Sequence, residues 1–118
     1  MESENTVDDA KLYNSSLEGD LEGVVDALAQ GGRVAMRSPE GYTPLLVAAR
    51  NGHLKIYQLI MDNVDDKYPT DIGKRTPLHY AAENGHLAIC HMIIDNVDDK
   101  NPQNYEKLTP LHDAARNL

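Results

Sequence analysis

The chain contains no phenylalanine and no tryptophan, a single cysteine, and only 11 Lys and Arg against 19 Asp and Glu over 118 residues. Each shortage excludes something. Six tyrosines are the only aromatic residues, so a core must be built from Leu, Ile, Val and Ala. A lone Cys90 cannot form an intramolecular disulfide, which argues against a small secreted domain stapled by bridges. The formal charge of -8 leaves no electrostatic footprint for nucleic acid or an anionic membrane surface. No apolar run approaches the roughly 20 residues that cross a bilayer. The opening Met1-Glu2-Ser3-Glu4-Asn5 is polar and acidic, the reverse of a secretory leader. The expectation is an intracellular protein, cytoplasmic or nuclear, with neither nucleic acid nor membrane as partner. The length suits one domain. The charge is uneven: residues 1–34 hold eight acids and two bases, whereas residues 35–118 are nearly balanced.

What the sequence does have is a repeat. Thr43-Pro44-Leu45, Thr76-Pro77-Leu78 and Thr109-Pro110-Leu111 stand 33 residues apart, and residues 43–75 match 76–108 at 19 of 33 positions without a gap. Asn51-Gly52-His53-Leu54 returns as Asn84-Gly85-His86-Leu87, and Asp62-Asn63-Val64-Asp65-Asp66-Lys67 returns as Asp95-Asn96-Val97-Asp98-Asp99-Lys100. A fixed period of this size marks stacked supersecondary units. Extended backwards, the frame gives unit 10–42, an atypical N-terminal cap that keeps Leu12, Gly19 and Leu21 but lacks Thr-Pro; units 43–75 and 76–108 follow, then a partial unit 109–118. Residues 1–9 read as a polar tail.

Each unit reads as two short antiparallel helices. Thr76 is a good N-cap and Pro77 suits the first helical position. Leu78, Ala81 and Ala82 form a small apolar face, and Asn84-Gly85 stops the helix with Gly in the left-handed conformation. A second helix carries Leu87, Ile89, Cys90, Ile93 and Ile94, matched one unit earlier by Leu54, Ile56, Tyr57, Leu59 and Ile60. Ser38-Pro39-Glu40-Gly41 has the chemistry of a type I turn.

The stretch Thr76-Pro77-Leu78-His79-Tyr80-Ala81-Ala82-Glu83-Asn84-Gly85-His86-Leu87 resembles the ankyrin repeat, as do Thr43 to Leu54 and Thr109 to Ala115. The resemblance implies an all-α solenoid of stacked antiparallel helix pairs with β-hairpin-like fingers, and a function of binding other proteins. It also implies that the His of Thr-Pro-Leu-His bonds the Thr and that Gly-His braces a loop. Departures from the pattern carry expectations of their own. Val64 and Val97 stand where a Gly commonly follows the second helix, as Gly31 does in the first unit, and Asn63 and Asn96 just before them are expected to supply the left-handed cap instead. Lys74 and Lys107 replace the Gly that Gly41 supplies before Thr-Pro, so the fingers should differ in shape. Leu46 replaces the motif His and removes one hydrogen bond.

His79 with His112, or His86 with Cys90 and His91, lack a metal-site spacing. The acidic runs place Lys67 and Lys100 where a calcium loop needs Gly. Cys90 sits among isoleucines and reads as a small buried hydrophobe. No nucleophile elbow surrounds Ser15, Ser16 or Ser38, and Gly31-Gly32 lacks a P-loop continuation. The expectation is no enzyme, no cofactor and no metal.

Exposed positions before each Thr-Pro, and on the outer side of each first helix, are then the expected partner-binding residues: Arg37, Tyr42 and Arg50; Ile72, Arg75, Tyr80 and Glu83; Tyr105, Leu108 and Arg116. Pro39, Glu40, Thr70 and Gln103 lie beside them. Tyr and Arg are frequent interface anchors. Tyr80 in particular is expected to be exposed and dispensable for stability. A second reading makes the chain the N-terminal targeting or regulatory segment of a longer multi-repeat protein. The break at Leu118, in mid-unit, is expected to mean either continuation or end-to-end self-association through an uncapped C-terminal end.

Overall fold

Short helices arise wherever a Thr-Pro or Asp cap meets a few apolar residues and a glycine stop. The computed structural model describes residues 6–65 and 69–98 and contains six helices there, three of them opened by such a Thr or Asp cap. The helices are α1 (Thr6–Glu18), α2 (Leu21–Ala29), α3 (Pro44–Asn51), α4 (Leu54–Met61), α5 (Pro77–Glu83) and α6 (Leu87–Asp98). They pair as α1/α2, α3/α4 and α5/α6, and the first helices stack on one another more extensively than the second helices do. No strand occurs among the described residues.

The caps follow the side chains. Thr43 Oγ1 accepts the Leu46 N–H at 3.2 Å, Thr76 caps α5 in the same way, and Pro fills the first position of both helices. Asp20 caps α2 by accepting from the Gly23 N–H at 3.0 Å. Gly52 (φ 78°) and Gly85 (φ 75°) take the left-handed conformation after α3 and α5. The core lies between the layers: Leu12, Leu45, Ala48, Tyr57, Ile60, Leu78, Ala81, Ile89 and Ile93 are buried. Cys90 is buried with them, and burial pushes its thiol up, so it stays a neutral filler.

The helices and turns correct four expectations. Helix α1 begins at Thr6, so residues 6–9 belong to the helix rather than to a tail. Asp9 is buried and accepts from Arg33 through its N–H at 2.8 Å and Nε at 2.9 Å, tying α1 to the loop after α2. Leu87 is exposed, because it opens α6 on the outer side of the stack. Asn63 does not adopt the left-handed conformation; its Nδ2 donates to Leu59 O at 2.7 Å, closing α4 from the side.

The fourth correction concerns the two described fingers, which share one geometry. In the first, the Ser38 N–H donates to Tyr42 O and the Gly41 N–H to Ser38 O, both at 2.8 Å. In the second, the Asp71 N–H donates to Arg75 O and the Lys74 N–H to Asp71 O, both at 3.0 Å. Lys74 accepts φ 66°, the left-handed place that Gly41 holds at φ 90°. The side chain of Asp71 makes this tolerable. Its Oδ1 accepts from Gly73 N at 2.8 Å and Arg75 N at 3.0 Å, an Asx turn that fixes the backbone. Lys74→Gly is therefore expected to stabilise the chain by about 0.5–1 kcal/mol, since the strain removed exceeds the freedom that glycine adds to the unfolded chain. A urea midpoint unchanged or lower than the parent's would show that Lys74 is not strained.

Candidate functional site

The two described fingers are joined to each other through Arg37 and to the last turn of α3 through Arg50, and most of the expected residues meet there. Tyr42 and Tyr80 stand edge to face, ring centroids 6.2 Å apart at 75°. The Arg50 guanidinium lies 5.8 Å from the Tyr42 centroid, and that of Arg75 lies 4.9 Å from the Tyr80 centroid. Arg75 also pairs with Glu83, which raises its pKa further. Arg37 bridges the fingers: its Nη1 donates to Gly41 O at 2.7 Å and to Thr70 O at 2.9 Å. Ile72 occupies a finger tip and is 87 % exposed. Tyr105, Leu108 and Arg116 lie outside the described residues, as do the turn at 104–107 and the partial unit 109–118.

Tyr80 does not sit where it was expected. It is only 8 % exposed, and its hydroxyl donates to the Asp71 carboxylate. Burial, and then that bond, push its phenol well above the usual tyrosine range. Burial alone would raise Asp71, but the Tyr80 hydroxyl and the N–H groups of Arg75 and Gly73 outweigh it and hold the carboxyl below its ordinary range. Tyr80 therefore packs beneath the second finger instead of standing exposed. Asp71 is the residue that sequence reasoning passed over. Its signal was the Asp-x-Gly spacing of an Asx turn.

His79 closes the capping box at the base of the site. Its Nδ1 accepts the Thr76 N–H at 2.9 Å, while Thr76 Oγ1 accepts the His79 N–H. An acceptor Nδ1 requires the neutral ring. Burial, and next the charge of Arg75, hold the His79 pKa below its usual value of 6.5. With the folded pKa below the unfolded one, stability is full above that value and declines as pH falls through the folded pKa. The loss in urea midpoint between about pH 7.5 and about pH 5.5 is expected to shrink in His79→Leu, the residue that Leu46 already supplies in the preceding unit. An equal loss in both proteins would remove His79 as the source.

Two other histidines, His53 and His86, join units. His53 Nε2 meets Leu17 O at 3.1 Å and His86 Nε2 meets Arg50 O at 3.0 Å, so each ring donates to the preceding unit's first helix. An open groove of about 550 Å³ beside the first finger is lined by Asp9, Arg33 and Arg37. The contacts of those three side chains serve the fold.

The comparisons agree with this architecture. The family description "Ankyrin repeats (3 copies)" matches residues 12–104 and again 67–118. The chain belongs to the ankyrin-repeat family, whose members are generally protein–protein interaction modules and typically non-catalytic. No curated protein matches the chain. Among the described residues no helix is long and apolar enough to cross a membrane.

Proposed function

We propose that the chain binds a partner protein through its fingers and the adjoining surface of α3 and α5. The observation that carries this reading is Ile72. A large aliphatic side chain, 87 % exposed, is held at the tip of a finger that Asp71 and Arg37 keep rigid. Stability does not explain it, whereas an interface gains from both the apolar contact and the low ordering cost of a rigid support. Tyr42, Arg50 and Arg75 flank the finger with the side-chain types that anchor interfaces.

The test is a titration of the recovered partner against point variants. Ile72→Asp is expected to weaken binding about tenfold or more, while Asp65→Asn, in the loop after α4, stays within about twofold. Sensitivity at Asp65 with silence at Ile72 would move the interface to the opposite edge.

A further inference from the structure

We infer that the finger edge takes a partner segment bearing a carboxylate side chain, Asp or Glu, which Arg50 receives over the Tyr42 ring. The inference rests on the finger-edge reading above and adds the chemistry of the occupant.

Charge is distributed unevenly around this stack. The chain carries -8 overall. The exposed acids Glu18, Asp20, Glu22, Asp62, Asp65 and Asp95 stand at helix turns, on second helices or just after them. The two fingers and the face beside them carry Arg37, Arg50, Lys74 and Arg75 instead, with Glu40 and the paired Glu83 as their exposed acids. An acidic segment is thus repelled by most of the molecule and attracted at one edge, which orients its approach.

Within that edge the arginines differ. Arg75 is neutralised by Glu83, and Arg37 spends its donors on Gly41 O and Thr70 O. Arg50 stands 33 residues before Glu83, so the repeat puts a cation where the next unit has the acid. Among the described residues it has no carboxylate partner, only the Tyr42 ring. A guanidinium resting on an aromatic face keeps its edge N–H groups free for a bidentate carboxylate, and the ring limits the freedom it loses on binding. Ile72 lies over Gly41, one residue from Tyr42, and supplies the apolar contact beside the charge. A polyphosphate or an anionic bilayer is disfavoured, since its high charge density would meet the acidic remainder of the chain. A single carboxylate can be read locally.

The experiment selects phage-displayed random short peptides on the whole chain, then measures synthetic copies of the enriched peptides by fluorescence anisotropy. Poly-uridylic RNA and phosphatidylserine vesicles are titrated in parallel. Enriched peptides are expected to carry Asp or Glu beside an apolar residue. They should lose about tenfold in affinity with Arg50→Met, nearly as much with Arg50→Lys, whose ammonium keeps the charge but not the bidentate fork, and nothing with Lys55→Met. Neutral or basic peptides that still depend on Ile72 would overturn the carboxylate inference and leave the finger edge standing. So would RNA or vesicles that outcompete every peptide in an Arg50-dependent way. Peptides indifferent to Ile72→Asp, or no enrichment at all, would overturn the finger-edge reading and this inference with it.

Discussion

Replacing Tyr80 with alanine is expected to lower the stability of the chain by about 3 kcal/mol, the range for deleting a buried aromatic ring. The ring is 8 % exposed, packs edge to face on Tyr42 and lies under Arg75. Its removal opens a cavity between the second finger and α5 and forfeits both ring contacts. The hydroxyl adds a second cost, because Asp71 is buried and loses one of its three donors. Tyr80→Phe isolates that part and should cost about 1–2 kcal/mol. Urea melts of the two variants separate the ring from the hydroxyl. Melts of Tyr80→Ala that overlay the parent would mean that the ring is not buried. Any loss of partner binding in that variant must accordingly be read alongside its lost stability, and Ile72 and Arg50 are the cleaner probes of the surface.

Gly52→Ala is expected to cost about 2–3 kcal/mol, and Gly85→Ala only about 1 kcal/mol, although the two sit in identical Asn-Gly-His-Leu sequences. Both are left-handed, so both incur the strain of a Cβ at positive φ. Their surroundings differ. A Cβ at Gly52 would stand 2.6 Å from the His86 ring, whereas none of the described neighbours comes within 4 Å at Gly85. That ring is the brace between units, bonded to Arg50 O, and it must leave to make room. Stability in a repeat stack is the sum of unit terms and nearest-neighbour interfaces, so losing the brace weakens the coupling as well. The urea transition of Gly52→Ala should therefore broaden, with a lower m-value, while that of Gly85→Ala shifts without broadening. Equal shifts with parallel slopes would show that the histidine brace carries no coupling.

Much of this was legible in the residues, and the failures have physical causes. Thr43, Thr76, Gly52 and Gly85 act as their types dictate, because caps and left-handed stops depend on local geometry alone. Lys74 broke the finger rule because Asp71, three residues earlier, supplies side-chain bonds that replace the freedom of glycine. Asn63 found a carbonyl one turn back and had no need of the left-handed cap. Tyr80 was misplaced although its repeat equivalent, Val47, is apolar and fully buried. The aromatic type suggested an interface where the register pointed to the core. The Asp9–Arg33 link had no local signature, since its partners are 24 residues apart and belong to no motif.

The central claim, that a partner sits on the finger edge, is tested most directly by site-specific photo-cross-linking. A photoreactive side chain replaces Ile72 at the finger tip in one protein and Gln58, exposed on α4, in another. The account predicts that the bound partner is captured from position 72 and not from position 58. Capture from position 58 with none from position 72 would contradict it.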